Sequence, residues 1–170
     1  NNTVSTAVAL ANSACTCTFS NAGSGLLTIG GAISGTQNLT VNGSGNTTIS
    51  SIIGTGTGTL TKSDGGILTL SGSSSNTFTG LTTVSAGELD LAKTGTTNAI
   101  SGNLTISGGT VKSTAAGTNQ IADTRTVTID GASAIFDLGA SHSNTVATVT
   151  LDGGGQITGT GTSTLTVNSA

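Results

Sequence analysis

The chain has 170 residues, of which only 11 are charged (4 Lys or Arg and 7 Asp or Glu), and its formal net charge is −3. So few basic side chains cannot neutralise many phosphates, so we expect no nucleic-acid partner. No apolar run approaches the ~20 residues needed to cross a bilayer, and no segment has the pattern of a signal peptide. The 36 Thr and 27 Gly residues, with no Pro, favour short strands joined by tight turns.

The first 14 residues, NNTVSTAVALANSA, contain apolar residues in alternation with small polar ones. Val4, Val8 and Leu10 alternate with Ser5 and Ala9, which is typical of a half-buried strand. We predict a single domain over residues 1–170, in which 1–14 are a possible N-terminal strand that pairs with another subunit. Residues 15–170 are predicted to form the repeating structure.

The two cysteines, Cys15 and Cys17, lie two residues apart and would point to the same face of a strand. Two such residues are beyond comfortable disulfide reach, so the pattern favours two buried thiols. An intermolecular or strained disulfide remains the alternative. The single His142 lies far away in the sequence and there is no second cysteine pair, so no metal and no cofactor are expected.

A triplet centred on Thr recurs along the chain, with steps of 22, 21, 22, 22, 23 and 22 residues. In most copies the central Thr is flanked by apolar residues. Each period also holds two further short strands, one after a Gly turn and one before the next triplet. The central residues of the triplets are Thr18, Thr40, Thr61, Thr83, Thr105, Thr128 and Thr150.

A fixed period of this length indicates stacked coils, because one coil cannot bury its inner face alone. We predict an all-β, right-handed, three-sided parallel β-helix (β-solenoid) of about seven rungs and about 22 residues per rung, roughly 34 Å long. The flanking residues should point inward and the Thr column outward. Lys62 and Thr82 break the apolar inner pattern, and Lys62 is expected to lie at a corner with its ammonium reaching out. A β-sandwich is the competing fold, but it does not require the regular 22-residue register.

One stretch, GILTLSGSSSNTFTGLTTVSAGELDL, resembles the passenger-associated transport repeat of bacterial autotransporters, whose pattern is approximately G-x-L-T-L-S-G-x-N-T-Y-T-G-x-T-T-V-x-A-G-T-L-x-L. The departures are two extra residues in the SGSSSN turn, Phe78 in place of Tyr, and Glu88 in place of Thr. The resemblance implies an extracellular or cell-surface β-helix of bacterial origin, with an adhesive or structural role. The matching residues are Gly66, Leu68, Thr69, Leu70, Ser71, Gly72, Asn76, Thr77, Thr79, Gly80, Thr82, Thr83, Val84, Ala86, Gly87, Leu89 and Leu91.

Three kinds of site were considered on this scaffold. Asp130 and Asp152 should lie on adjacent rungs about 5 Å apart, a distance that glycosidase chemistry tolerates, although stacked Asp residues at turns more often cap backbone N–H groups. LDGGGQITG has the glycines of a calcium-binding repeat but lacks the following Asp. The Thr column resembles an ice-binding face, but it also fits a ladder that stabilises parallel strands. We therefore expect no enzymatic activity.

Both ends of the sequence are uncharged: all eleven charges lie between Lys62 and Asp152. Charge depletion is typical of the centre of a buried interface, and a heterologous contact that does not close makes a filament. We predict an extracellular structural protein, a subunit of a fibre or stalk assembled head to tail with itself, with a host or abiotic surface as a further possible partner. The alternatives are an adhesin passenger segment and an ice-binding protein. The predicted self-assembly residues are Val4, Val8, Leu10, Cys15, Cys17, Leu165 and Val167.

Overall fold

The computed structural model describes residues 1–11, 16–114 and 119–168. Every strand pairing in it is parallel, and no helix occurs in the described part of the chain. The chain runs around three sides in a constant order, side 1, side 2, side 3, and returns to side 1 about 22 residues later. The β-solenoid of about seven turns predicted from the sequence is confirmed, while its right-handed winding stays a prediction.

Side 1 is one continuous eight-stranded sheet. Its strands, in order along the solenoid, are β1 (Asn2–Val4), β4 (Leu27–Ile29), β7 (Thr47–Ile49), β10 (Ile67–Gly72), β12 (Glu88–Lys93), β14 (Thr110–Ser113), β16 (Ile135–Ala140) and β19 (Gln156–Thr160).

Side 3 is a continuous seven-stranded sheet and carries the triplets found in the sequence. Its strands are β3 (Cys17–Ser20), β6 (Leu39–Asn42), β9 (Leu60–Lys62), β11 (Thr82–Val84), β13 (Leu104–Ile106), β15 (Thr126–Asp130) and β18 (Thr148–Asp152).

Side 2 is interrupted. It has a three-stranded sheet near the start of the chain and a two-stranded sheet near its end. Its strands are β2 (Val8–Leu10), β5 (Ile33–Gly35), β8 (Ile53–Gly54), β17 (Ser143–Val146) and β20 (Thr164–Val167).

Between these two sheets, side-chain amides replace part of the strand ladder on side 2. The Asn76 carbonyl oxygen accepts the Ile53 N–H at 2.9 Å, and its Nδ2 donates to the Ala99 carbonyl at 2.8 Å. One turn further on, Asn98 Nδ2 donates to the Asn119 carbonyl at 2.7 Å. Buried backbone groups must find partners, so these amides hold successive turns together where regular pairing is missing.

The hydrophobic core runs along the axis and is formed by the inward residues of all three sides. Inward and outward positions alternate along each strand, so the strand β13 buries Leu104 and Ile106 while Thr105 between them is partly exposed. At the corners, successive turns approach so closely that a Cβ on Gly80 would collide with the carbonyl oxygens of Gly58 and Thr57. The corner glycines therefore permit the tight stacking of turns.

Lys62 corrects one expectation, because its ammonium does not reach out to solvent. The side chain is inward, in register with Val41 and Val84, and only 2% exposed. Its ammonium instead donates hydrogen bonds to the carbonyl oxygens of Ser63 at 2.9 Å and Asp64 at 2.7 Å. A long side chain at the last residue of a strand can reach the corner from inside, which its position in the sequence did not indicate.

The two terminal segments also differ from the sequence-based description. Residues 2–10 are not an arm ahead of the repeats: β1 and β2 belong to the first turn and pair with β4 and β5 of the same chain. Leu165 and Val167, which we had compared with Val149 on side 3, lie on side 2 and pair with Asn144 and Val146. Their shorter spacing from Val149 reflects this change of side rather than a shortened turn.

Candidate functional surfaces

The seven Thr residues of the triplets form one column on the outer face of side 3. Each lies in register with the Thr of the next turn, and all are half-buried or exposed. Two columns flank it, and there Asn38 and Asn103 accept the N–H groups of Thr59 and Thr126 at 3.0 and 3.1 Å. The ladder stabilises parallel strands, and an ice-binding role for it stays a prediction. The pairs are Thr18 with Thr40, Thr40 with Thr61, Thr61 with Thr83, Thr83 with Thr105, Thr105 with Thr128, and Thr128 with Thr150.

A second outward column, on side 1, was missed in the sequence. It is uncharged over its first four positions, then alternates in charge over three, and ends on Thr. The sequence signal was present in the second strand of each repeat, but the residue type changes halfway and hides the column. Its members are Thr3, Thr28, Thr48, Thr69, Asp90, Lys112, Asp137 and Thr158.

The charged part of this column is not evenly neutralised. Lys112 Nζ lies 3.9 Å from an Asp137 carboxylate oxygen, and this is the one salt bridge found among the described residues. Asp90, on the other side of Lys112, lies two residues from Glu88 on the same strand. Partial burial and a hydrogen bond with the neighbouring Glu88 carboxyl raise the pKa of Asp90 to about 6.

A second charge, on Lys93, lies inside the solenoid. Its ammonium donates to the Ser51 carbonyl at 3.0 Å, and burial lowers the pKa of Lys93 to about 8. The pKa of Lys62 is also lowered by burial, with Asp64 acting in the opposite direction. Both lysines bind backbone carbonyls at corners, so their arrangement is suited to holding turns rather than to chemistry at a surface.

The carboxylate pair considered for catalysis is brought together on side 3. Asp130 and Asp152 are directly in register and both are exposed. An Asp152 carboxylate oxygen accepts the Gly153 N–H at 2.7 Å, which is the turn-capping role. Nowhere in residues 1–11, 16–114 and 119–168 do three His, Cys, Asp or Glu side chains approach as metal ligands would.

The C-terminal end of the solenoid exposes residues that face inward on every earlier turn. Leu151, Ile157 and Val167 are 55%, 38% and 48% exposed, although they are in register with Ile129, Phe136 and Val146, which are all buried. Isolated apolar residues at a surface are common, but these three come from one end of one core. This end therefore presents a cross-section of the hydrophobic core.

The other end is more covered, although its strands also have an open edge. Val4, Val8, Cys17 and Phe19 are half-buried against the core, and Leu10 is buried. The strands β1, β2 and β3 each pair on one edge only, with β4, β5 and β6. Of the predicted self-assembly residues, six therefore lie at the two ends of the solenoid, and Cys15 lies outside the described residues.

The fold and these surfaces define a parallel β-solenoid with Thr ladders, buried corner lysines and an open apolar end. Residues 60–91 match the family model of the passenger-associated transport repeat, as the sequence motif indicated. The match covers one turn and parts of its neighbours, so the chain is similar to autotransporter passengers over that region. No curated protein and no solved structure matches the chain. The described residues contain no helix that is long and apolar enough to cross a membrane.

Proposed function

We propose that the chain is a non-enzymatic, extracellular structural protein: a subunit of a β-solenoid fibre or stalk that assembles end to end. The observation that carries this proposal is the apolar cross-section at the C-terminal end, formed by Leu151, Ile157 and Val167. Covering these side chains would remove apolar area from water, which is favourable by about 25 cal/mol per Å².

The backbone supports the same proposal. Open strand edges form hydrogen bonds with other chains unless charges, Pro or a covering segment protect them. Here there is no Pro, and no charged residue lies in 1–61 or after Asp152. Both ends are therefore free of the usual protection, and they combine edge hydrogen-bonding groups with apolar side chains.

The second candidate function is an adhesin passenger segment of a bacterial autotransporter, which the match at residues 60–91 favours. In that case the apolar end is covered by further turns of one polypeptide. Both candidates place the protein outside the bacterial cell or on its surface, as the resemblance implies.

Electron microscopy and sedimentation of the purified 170-residue chain test the proposal. One solenoid of seven to eight turns is about 35 Å long. We expect unbranched rods many times that length at micromolar concentration. Because the ends carry no charge, assembly should change little between 50 and 500 mM salt. Short monodisperse rods at all concentrations would contradict the fibre and support the passenger segment.

A further inference from the structure

The order of strands at the two ends determines how two copies can meet. We infer that they join on two of the three sides: β1 of one copy pairs with β19 of the next on side 1, and β2 pairs with β20 on side 2. This inference rests on the proposed end-to-end assembly and adds the pairing and the register of the junction.

The two-sided junction follows from the path of the chain. In the C-terminal turn, β18 is the last strand on side 3, and β19 and β20 then continue the solenoid on sides 1 and 2. In the incoming copy, β1 and β2 precede β3. When β1 and β2 occupy the next level above β19 and β20, β3 comes to lie two levels above β18. Placing β3 directly on β18 would require β1 and β2 to occupy the levels that β19 and β20 already fill.

The side chains at sides 1 and 2 fit this pairing. In the register of the solenoid, Thr158 and Thr3 belong to the same outward column, so that column continues across the junction. On side 2, Leu165 and Val167 occupy inward positions in register with Asn144 and Val146, and Val8 and Leu10 occupy the inward positions of β2. Apolar side chains would therefore stack on apolar side chains inside the joined solenoid, as they do between turns.

Side 3 behaves differently at the junction. Adjacent strands of a sheet lie ~4.8 Å apart, so β18 and β3 of the two copies would be ~9.6 Å apart. The Thr column of side 3 is then interrupted by one level between Thr150 and Thr18 of the next copy. Leu151 faces that open level and gains no direct cover from β3.

Cysteine cross-linking tests this arrangement with a matched pair of variants. The double variant Thr3→Cys, Thr158→Cys places thiols on adjacent strands of two copies, within the 4.4–6.8 Å Cα separation of disulfides. The double variant Thr18→Cys, Thr150→Cys makes the same substitutions on side 3, where the separation is too large. Under mild oxidation the first should give a ladder of covalent multimers on a non-reducing gel. The second should match the wild-type chain, which carries the same Cys15 and Cys17.

Two charge variants provide a second readout. Val167→Asp and Leu151→Asp each alter a side chain that is about half exposed, so both chains should still fold. We expect Val167→Asp to raise the concentration needed for fibre formation at least tenfold, and Leu151→Asp to raise it less than threefold.

The possible failures are distinguishable. If the wild-type chain forms no fibres, the proposed function fails and the junction fails with it. If fibres form but Thr18→Cys, Thr150→Cys cross-links, or Thr3→Cys, Thr158→Cys does not, only the two-sided junction is overturned. An equal loss of fibres in Val167→Asp and Leu151→Asp would overturn it as well.

Discussion

At the scale of single residues, stability depends on the few charges that the solenoid places in unusual surroundings. Only one pair, Lys112 and Asp137, is a salt bridge among the described residues. Asp90 is partly buried beside Glu88, and Lys62 and Lys93 are buried inside the core. Burying a charge is unfavourable unless it is paired and hydrogen-bonded, so these positions should control how stability changes with pH.

The raised pKa of Asp90 predicts that stability falls as the pH rises from about 4 to 6. In this window the folded chain keeps a proton on Asp90 that the unfolded chain has lost, so raising the pH favours unfolding. Asp90→Asn should reduce this fall and stabilise the protein at pH 7 by about 1–2 kcal/mol. Urea denaturation at pH 4, 5, 6 and 7 measures it. The matched control is Asp137→Asn, which removes the partner of Lys112 and should give no gain.

The lowered pKa of Lys93 predicts the opposite trend at alkaline pH. Between pH 8 and 10.5 the unfolded chain holds a proton that folded Lys93 has released, so the free energy of unfolding should rise with pH. Lys93→Met should reduce that rise and stabilise the chain at pH 7 by about 1–3 kcal/mol. Denaturation curves from pH 7 to 10 provide the measurement. A rise that persists unchanged in Lys93→Met, as expected for the exposed control Lys112→Met, would contradict it.

At the scale of the strand, alternation between the core and the outer face decides the effect of a substitution. Leu104 is buried between Thr82 and Val127 of the neighbouring turns, whereas Thr105 is partly exposed between Thr83 and Thr128. Leu104→Asp should therefore cost several kcal/mol of stability, because it leaves a lone charge between stacked turns. Thr105→Asp should cost about 1 kcal/mol as a change on the outer face of a strand. Denaturant unfolding of the two variants checks this, and equal losses would be inconsistent with the register.

At the scale of the whole molecule, the distribution of charge matches the proposed assembly. The charges lie in the middle turns, between Lys62 and Asp152, and the turns at both ends have none. Soluble proteins with exposed strand edges normally keep charge there to prevent edge-to-edge pairing. The absence of charge at these ends, together with the exposed Ile157 and Val167, is what a solenoid that stacks on itself requires.

Much of this architecture could be predicted from the sequence because it depends on local, repeated patterns. The 22-residue period, the inward and outward alternation and the Thr column of side 3 each repeat at a fixed spacing. Every turn meets neighbours of the same pattern, so a regular period determines which residues stack. The match at residues 60–91 has the same origin, since it is one unit of that pattern.

Other features were decided only by the tertiary structure. The inward path of Lys62 to the corner carbonyls, the position of Leu165 and Val167 on side 2, and the mixed column from Thr3 to Thr158 depend on contacts between turns. These contacts join residues about 22 positions apart, and residue type does not repeat at those positions. The sequence by itself determined the coil and its period, because both follow from local spacing. The sides that the terminal strands occupy, and hence the surfaces open to a second copy, required the path of the chain in space.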